Sequence, residues 1–382
     1  MKRKALIIGG IVLGGLVVCV ILIFPAAPLL ARLGVKPMCI QGNWPHLKLV
    51  SCPETSTARL GTTPSPLPTQ GAQAPIPLIV DDDGSPDGTI ALLYFLSNPL
   101  YDVKAVTISS GEAHPDLFAP HILRLLAGLG RADISVGAGR ATPLEGNNAF
   151  PDPWRQASDT FWEITLPQAS TTIEPRPAAE LIVETLSNST TPMLIFVSGT
   201  HTNLAEALRL DPGLGAHIRG VYMMGGSIYV PGNIESDWPS IKNSVAEWNI
   251  WVDPVAADEV FASGLPLHLV PLDATNQVTW TEADAAGWAA SATPEGAMAA
   301  DILRWMLVSW TTENAYIWDL AAAAVMTDPR LCPEVPLALD VFVEPGPEQG
   351  YTIVGEGTAN VQVCLEPDPA QVKFRAEAEL SR

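Results

Sequence analysis

The sequence predicts an α/β fold, an open and mainly parallel sheet with helices on both faces. Short, continuously apolar runs recur from Leu78 onward, and stretches of helical periodicity separate them. Strands that are apolar on both faces are typical of parallel sheets, because crossover helices cover both sides. The predicted strands span residues 77–80, 103–108, 193–198, 220–224 and 266–271. The predicted helices span residues 89–96, 119–129, 177–186, 203–210 and 254–262.

The composition is that of a folded chain, and its net charge argues against binding to nucleic acids. Hydrophobic residues make up 47% of the 382 residues and charged residues only 16%, so the chain can bury a large core. Against 21 Lys and Arg there are 41 Asp and Glu, which gives a formal net charge of -20. A field of that sign repels phosphate backbones. The sequence therefore predicts no nucleic-acid partner.

The N-terminus predicts a membrane anchor. Lys2, Arg3 and Lys4 precede an uncharged apolar run over residues 5–24. Such a run, at about 1.5 Å per residue, spans a hydrocarbon core of roughly 30 Å. A cleavable signal sequence is the alternative, although its apolar region is usually about 7–15 residues long. Because basic flanks stay cytoplasmic, residues 1–4 are predicted inside and everything after residue 24 outside the cytoplasm.

The segment between the anchor and the sheet predicts a stalk, and the cysteines agree with export. Residues 25–76 are assigned as an extracytoplasmic stalk, since residues 53–77 are rich in Pro, Thr, Ser and Gly. Residues 77–382 form the predicted α/β domain. Cys39, Cys52, Cys332 and Cys364 are an even number, as in disulfide-bonded exported proteins. Of the three pairings that four cysteines allow, the local one joins Cys39 to Cys52 and Cys332 to Cys364.

An acidic turn follows the first predicted strand, at the edge of the sheet where α/β proteins bind ligands. Its sequence is Asp81-Asp82-Asp83-Gly84-Ser85-Pro86-Asp87-Gly88. Of its four carboxylates, Asp81, Asp83 and Asp87 repel each other around one turn unless a cation lies between them. Oxygen ligands in an irregular loop suit Ca²⁺. A solvated acidic turn is the alternative.

Further polar motifs follow the later strands and helices in a fixed order. Each alone has a structural explanation, such as helix capping or a tight turn, but together they indicate a site. They are Ser198-Gly199-Thr200-His201-Thr202-Asn203-Leu204-Ala205, Met224-Gly225-Gly226, Gly232-Asn233, Glu247-Trp248-Asn249 and Trp318-Asp319.

This ordered set resembles the inosine-uridine-type nucleoside hydrolase family. The family opens with Asp-x-Asp-x-x-x-Asp-Asp, and Asp81, Asp83 and Asp87 match its first three acids. The resemblance covers about residues 76–380 and includes 272–275 and the tail over 337–366. It implies an open, mainly parallel α/β sheet and a Ca²⁺-dependent hydrolase that cleaves the N-glycosidic bond of ribonucleosides.

The resemblance also implies roles for individual residues. Asp83 would bind Ca²⁺ and take a proton from its bound water. Thr202, through its backbone carbonyl, and Asp319 would be further ligands, with Asp81 as an alternative one. The implied substrate-binding residues are Asp87, Glu112, Met224, Asn233, Glu247, Asn249 and Trp318. The acids and Ca²⁺ would favour an oxocarbenium-like transition state, in which positive charge builds on the sugar ring.

Three positions depart from the family pattern. Gly88 replaces the fourth acid, which is normally a metal ligand, so Asp82, Glu112 or water would have to substitute. Glu112 stands where the family has an asparagine that faces the sugar. Trp318 stands where many members have a histidine that helps the base to leave, and His114 and His201 are the nearest replacements.

These departures leave an alternative function open, that of a catalytically impaired protein that binds nucleosides or ribose on the same fold. Such a protein would bind its ligand without calcium and would release no free ribose. The expected partners are a small-molecule nucleoside or ribosyl substrate and the membrane, with a homo-oligomer left open. The polar segment between Asn233 and Glu247, which contains Trp238, is either a lid or a surface loop.

Overall fold

The computed structural model describes residues 74–169 and 172–382, together with the backbone of four short strands nearer the N-terminus. The chain divides into two units at Gly61 and Thr62. In the first unit, Ile11–Leu13 pairs antiparallel with Leu16–Val18, and Met38–Gln41 pairs antiparallel with Lys48–Ser51.

The predicted anchor and stalk lie largely outside the described residues. Where the backbone is described within the predicted anchor, over 11–13 and 16–18, it forms strands and not the expected helix. Among the described residues, no helix has both the length and the apolar character needed to cross a bilayer. The Cys39–Cys52 pairing also stays a prediction, because Cys52 is not described.

The second unit alternates strands and helices from Ile76 onward. Its strands are β1 (Ile76–Asp82), β2 (Tyr101–Ile108), β3 (Ser135–Ala138), β4 (Met193–Val197), β5 (Ile218–Met224), β6 (Leu267–Val270), β7 (Glu334–Leu337), β8 (Leu339–Val341), β9 (Thr352–Val354) and β10 (Val361–Cys364). Its helices are α1 (Pro86–Ser97), α2 (Pro115–Gly128), α3 (Asp152–Asp159), α4 (Ala178–Ser187), α5 (Thr202–Leu210), α6 (Ile234–Asp237), α7 (Trp248–Val252), α8 (Pro254–Phe261), α9 (Leu272–Thr275), α10 (Glu282–Ala289), α11 (Pro294–Ser309), α12 (Trp318–Thr327) and α13 (Pro369–Leu380). Short 3-10 turns occur at Phe161–Glu163, Leu214–His217 and Pro329–Leu331.

Within the described residues, eight strands form one sheet in the order β7-β10-β6-β5-β4-β1-β2-β3. All neighbouring strands run parallel except β7, which is antiparallel to β10 at one edge. β8 and β9 form a separate antiparallel pair. The predicted open, mainly parallel sheet is therefore confirmed.

Both faces of the sheet are covered by helices, as continuously apolar strands require. Along β1, Leu78 and Val80 pack into one core, which also contains Leu320 of α12. Ile79, between them, packs into the opposite core with Ile182 of α4 and Val260 of α8. Side chains alternate between the faces of a strand, so burial on both faces explains the apolar runs.

The five predicted strands and the five predicted helices are all present, with ends shifted by a few residues. The sequence did not predict β3, a four-residue edge strand that includes Gly137. It also did not predict α3, α13 or the pair α10 and α11, which pack against each other as a helical hairpin. Short strands and alanine-rich helices carry weak periodicity.

The predicted Cys332–Cys364 disulfide is present, with the two Cα atoms 5.6 Å apart. Both cysteines are buried. Their bond joins the segment before β7 to the end of β10. In the described sheet, β7 is the edge strand that runs antiparallel to β10.

Replacing both Cys332 and Cys364 by alanine is expected to lower the free energy of unfolding by about 2–4 kcal/mol. The cause is the greater conformational freedom of the unfolded chain without the cross-link. Equilibrium denaturation measures the effect. A reductant should reproduce the loss in the unaltered protein. Equal denaturation midpoints for the two proteins would contradict this role.

Candidate active site

The candidate site lies where the direction of strand addition in the sheet reverses. β1 is flanked by β2 on one side and by β4 on the other, so successive connections diverge from it. A crevice forms at such a switch point, outside the carboxyl ends of the strands. Residues that follow β1, β2 and β4 line a cavity of about 850 Å³ there. This volume is typical of a small-molecule site.

Asp83 lies on the floor of this cavity, directly after β1. Its Oδ2 accepts the backbone N–H of Glu112 at 3.3 Å, whereas its buried Oδ1 has no hydrogen-bond partner. Two glycines leave room for the carboxylate. A Cβ at Gly111 would lie 2.1 Å from Asp83 Oδ2, and one at Gly199 would lie 2.4 Å from the Asp83 Cβ. The ends of the neighbouring strands therefore close tightly around Asp83.

Two further carboxylates, Asp87 and Asp319, lie in the first turns of α1 and α12. The backbone N–H of Asp319 donates to Asp87 Oδ2 at 3.4 Å, and the Ser85 hydroxyl donates to Asp319 Oδ2 at 3.3 Å. Asp319 Oδ1 is buried without a partner. Helix N-termini favour negative charge, which helps this region to hold two buried acids.

The acids of the floor, and Asp82 beside them, destabilise one another's charged forms. Burial raises the pKa of Asp82 to about 7, and the charge of Asp87 adds to this shift. Burial, followed by the charges of nearby acids, also raises the pKa of Asp83 and Asp319 well above 3.8. The pKa of Asp87 is raised by burial. A cation among these groups would offset the cost of ionising them.

A polar wall follows β5 on the other side of the cavity. The Glu247 carboxylate accepts three backbone N–H groups at 2.8, 2.9 and 3.3 Å. Burial nevertheless raises the pKa of Glu247 to about 7. The Asn249 amide donates to the carbonyls of Ser198 and Met224, which joins the ends of β4 and β5. Asn233 Oδ1 is buried and has no partner.

Aromatic side chains complete the wall. Trp318 stacks on Tyr316 with ring centroids 5.4 Å apart, and its Nε1 donates to Asn276 Oδ1 at 2.8 Å. Phe150 stacks on Trp248 with centroids 4.8 Å apart. The other aromatic lining residues are Trp154, Trp305 and Trp310. Flat rings of this kind provide stacking surfaces for planar ligands.

Nine of the predicted site residues line this cavity: Asp83, Asp87, Glu112, Met224, Asn233, Glu247, Asn249, Trp318 and Asp319. Thr202 and Asp81 do not. The Thr202 hydroxyl donates to Asp253 Oδ2 at 2.6 Å, while Asp81 Oδ1 accepts from Thr107 at 2.6 Å and from Asn203 at 2.8 Å. Both side chains hold the strand ends and α5 in place, and their roles as metal ligands remain predictions.

Known proteins match this chain across the domain that carries the cavity. Residues 78–373 match the family model described as inosine-uridine preferring nucleoside hydrolase. The chain belongs to this family. A pyrimidine-specific ribonucleoside hydrolase from Citrobacter koseri is 32% identical over 284 residues, which are 73% of this chain and 88% of that relative.

Solved structures of nucleoside hydrolases share the fold. A plant nucleoside hydrolase superposes with a TM-score of 0.71 at 25% identity, over 80% of this chain and 99% of its own. A purine-preferring ribonucleoside hydrolase from Gardnerella vaginalis gives 0.71 and 25%, over 80% of this chain and 98% of its own. Nucleoside hydrolases cleave N-ribosyl bonds, and the protein is therefore an enzyme of this class.

The two histidines considered as replacements for the family's histidine do not line the cavity. The His114 ring pairs through Nδ1 with Asp159 at 2.8 Å. His201 is buried with its Nε2 3.1 Å from Met223 Sδ, and burial lowers the pKa of His201 to about 4. Among the residues that the structure describes, no histidine lines this nucleoside hydrolase cavity.

The segment between Asn233 and Glu247 contributes to the cavity wall. It begins with α6, from which Ser236 and Asp237 line the cavity. Trp238 packs against Trp154 with ring centroids 6.0 Å apart. The indole Nε1 of Trp248 donates to Asp237 Oδ2 at 3.3 Å, and burial raises the pKa of Asp237. The segment is therefore integrated into the site and is not a detached surface loop.

The sequence did not predict several of the residues that line the cavity. The aromatic ones include Trp154, Trp305, Trp310 and Tyr316. The density of large aromatic residues between 305 and 318 was a usable signal. Alone, however, such spacing is equally consistent with core packing, which Trp305 partly provides against Trp162.

The chemistry of the acidic floor fits the Ca²⁺ that the nucleoside hydrolase family implies. Among the described residues, no three Asp, Glu, His or Cys side chains already converge as a metal-ligand group. The floor nevertheless presents oxygen ligands, as hard cations require. Asp83 Oδ1 and Asp319 Oδ1 are buried and unpartnered. Leaving such atoms unsatisfied costs free energy, so these two carboxylates fit a cation in the cavity. Asp81 Oδ2 is also buried and unpartnered, but Asp81 does not line the cavity.

Proposed function

We propose that the enzyme hydrolyses the N-glycosidic bond of a ribonucleoside with Ca²⁺ bound at the acidic floor, through an oxocarbenium-like transition state. The observation that carries the proposal is the Asp83 carboxylate, which is buried, unpartnered at Oδ1 and placed on the cavity floor with Asp87 and Asp319. The pyrimidine-specific and purine-preferring relatives support a ribonucleoside and leave both base classes open.

Asp83 is proposed to accept a proton from the attacking water. The water oxygen bonds to C1′ of the ribose as the bond from C1′ to the base nitrogen breaks, and the base leaves with the bonding electron pair. A bound divalent cation makes formation of the hydroxide nucleophile easier. Asp87 and Glu247 place negative charge around the sugar, where positive charge builds in the transition state.

The polar wall is proposed to hold the ribose hydroxyls. Asn233 contributes a buried, unpartnered Oδ1 that can accept a hydroxyl proton. Asn249 and Glu247 are held rigidly by hydrogen bonds to the backbone, so their positions are fixed before the substrate binds. Contacts that strengthen as the sugar ring flattens would contribute to catalysis.

The aromatic wall is proposed to hold the base. Trp318 and Tyr316 offer parallel ring faces beside the floor. An indole N–H does not act as a general acid near neutral pH, so Trp318 would act by stacking and not by protonating the leaving base.

We also propose that the enzyme acts outside the cytoplasm, attached to a membrane by the apolar segment near its N-terminus. The buried Cys332–Cys364 disulfide supports this location, because disulfides persist in oxidising compartments. The apolar run over residues 5–24 supports the attachment.

Reducing-sugar release by the full-length chain tests the proposed activity. A panel of purine and pyrimidine ribonucleosides is incubated with Ca²⁺ or with a chelator. We expect ribose release that requires Ca²⁺, and the panel identifies the preferred base. If the folded, calcium-loaded protein binds nucleosides and releases no ribose from any of them, the catalytically impaired binding protein becomes the correct description.

A further inference from the structure

The space beside Gly88 is already filled by a carboxylate. Gly88 lies in the first turn of α1, next to Asp87, and its N–H donates to the Ser85 hydroxyl at 3.0 Å. A Cβ built on Gly88 would lie 1.8 Å from Asp82 Oδ2 and 2.8 Å from Ser85 Oγ. No side chain fits at position 88 while Asp82 holds this position. Gly88 and Asp82 are therefore sterically coupled.

Asp82 is fixed in this position by two hydrogen bonds. Its Oδ1 accepts the backbone N–H of Gly84 at 2.8 Å, and its Oδ2 accepts the Ser198 hydroxyl at 3.1 Å. The residue is only 1% exposed. Although it is the last residue of β1, its carboxylate reaches the N-terminus of α1 at the point where a side chain of residue 88 would begin.

Asp82 lies beside the acidic floor, although it does not itself line the cavity. The Ser198 hydroxyl that donates to Asp82 Oδ2 belongs to a residue that lines the cavity, and Gly88, against which this oxygen lies, follows the lining residue Asp87. An independent feature points to a cation here, namely the buried Oδ1 atoms of Asp83 and Asp319, which have no partner. A further aspartate thus lies beside Asp83, Asp87 and Asp319 although residue 88 carries no carboxylate.

We infer that Asp82 supplies, from the end of β1, the cation-binding carboxylate that residue 88 does not provide. The inference rests on the proposed function, in which a cation occupies the acidic floor. A carboxylate delivered from the strand replaces one delivered from the helix, and Gly88 is the residue that leaves room for it. A carboxylate oxygen can accept a hydrogen bond and still bind a cation, since it has two lone pairs. The hydrogen bonds from Gly84 and Ser198 therefore orient the Asp82 carboxylate and leave lone pairs with which it can bind a cation.

Calorimetric titration with Ca²⁺ in the absence of any nucleoside tests this inference on the full-length chain in mild detergent. Asp82→Asn keeps the shape of the side chain and removes its charge. We expect it to raise the calcium Kd by about 10-fold or more, because affinity follows the charge and number of the ligands. Asp284→Asn, in a buried acid paired with Lys373 outside this cavity, is the matched control and should leave the Kd unchanged.

An exchange of positions makes the test independent of any folding defect in the single variant. In Asp82→Ser/Gly88→Asp the carboxylate moves to the helix and the obstruction by Asp82 is removed, so that only the Ser85 hydroxyl has to shift. We expect this double variant to recover calcium binding to within about 3-fold of the original Kd, while Asp82→Ser alone stays weak. Melting curves in a chelator verify that each variant folds.

The outcomes separate this inference from the proposed function. A Kd for Asp82→Asn within about twofold of the original overturns the inference even if the enzyme releases ribose in a calcium-dependent manner. Failure of the double variant to bind better than Asp82→Ser also overturns it. Weaker calcium binding by Asp82→Asn supports the inference. If the unaltered enzyme at the same time releases no ribose from any nucleoside, the proposed activity is rejected while the inference stands.

Discussion

Replacing Asp83 by asparagine is expected to lower kcat/KM for ribonucleoside hydrolysis by about 10³-fold or more. The substitution removes the group proposed to accept the proton of the attacking water. It also removes a buried carboxylate that is proposed to bind the cation, since Asp83 Oδ1 has no hydrogen-bond partner. Asparagine is isosteric and can keep the bond from the Glu112 N–H to its side-chain oxygen, so the fold should persist.

Initial rates measured at saturating Ca²⁺ separate the two effects of this substitution. A loss that persists at saturating Ca²⁺ indicates proton transfer, whereas recovery at high Ca²⁺ indicates cation binding alone. Asp284→Asn serves again as the control, because this carboxylate is ion-paired with Lys373 outside the cavity. Activity of Asp83→Asn within about 10-fold of the unaltered enzyme would contradict the role given to Asp83.

Removal of calcium is expected to abolish turnover and to lower the melting temperature, with a larger thermal effect at pH 8 than at pH 5. Burial raises the pKa of Asp81, Asp82 and Glu247 to about 7 in the metal-free protein. In the unfolded chain these acids titrate near their ordinary values of 3.8 and 4.5. Between about pH 4 and pH 7 the folded state therefore holds protons that the unfolded state has released.

The sign of the pH dependence follows from this difference. These raised pKa values favour the folded state fully below about pH 4, and the contribution is lost as the pH rises through about 7. At pH 8 Asp82 is mostly charged beside the other acids of the site, so a bound cation offsets more repulsion there than at pH 5. Differential scanning fluorimetry with Ca²⁺ or chelator across this range measures the effect. A calcium-induced shift that is equal at pH 5 and pH 8, or full turnover in excess chelator, would contradict the prediction.

The central part of the fold follows from local sequence patterns. Apolar runs such as the one that ends in Val80 predict strands buried on both faces, and the helical stretches between them predict crossovers. These patterns repeat within a few residues and need no knowledge of distant contacts. β3 and α11 were missed because their signals are short or uniform, and packing against neighbours stabilises them.

The sequence by itself determined the acidic turn, the order of the polar motifs and hence the family and nine of the cavity residues, because these features are local and come at strand ends. Only the tertiary structure decided which groups meet across long separations. It turned the Thr202 hydroxyl toward Asp253, kept His201 out of the cavity and assembled the aromatic wall. It also placed the Asp82 carboxylate against Gly88. The physical reason is that a side chain's direction and free volume depend on the segments packed around it, which no local pattern records.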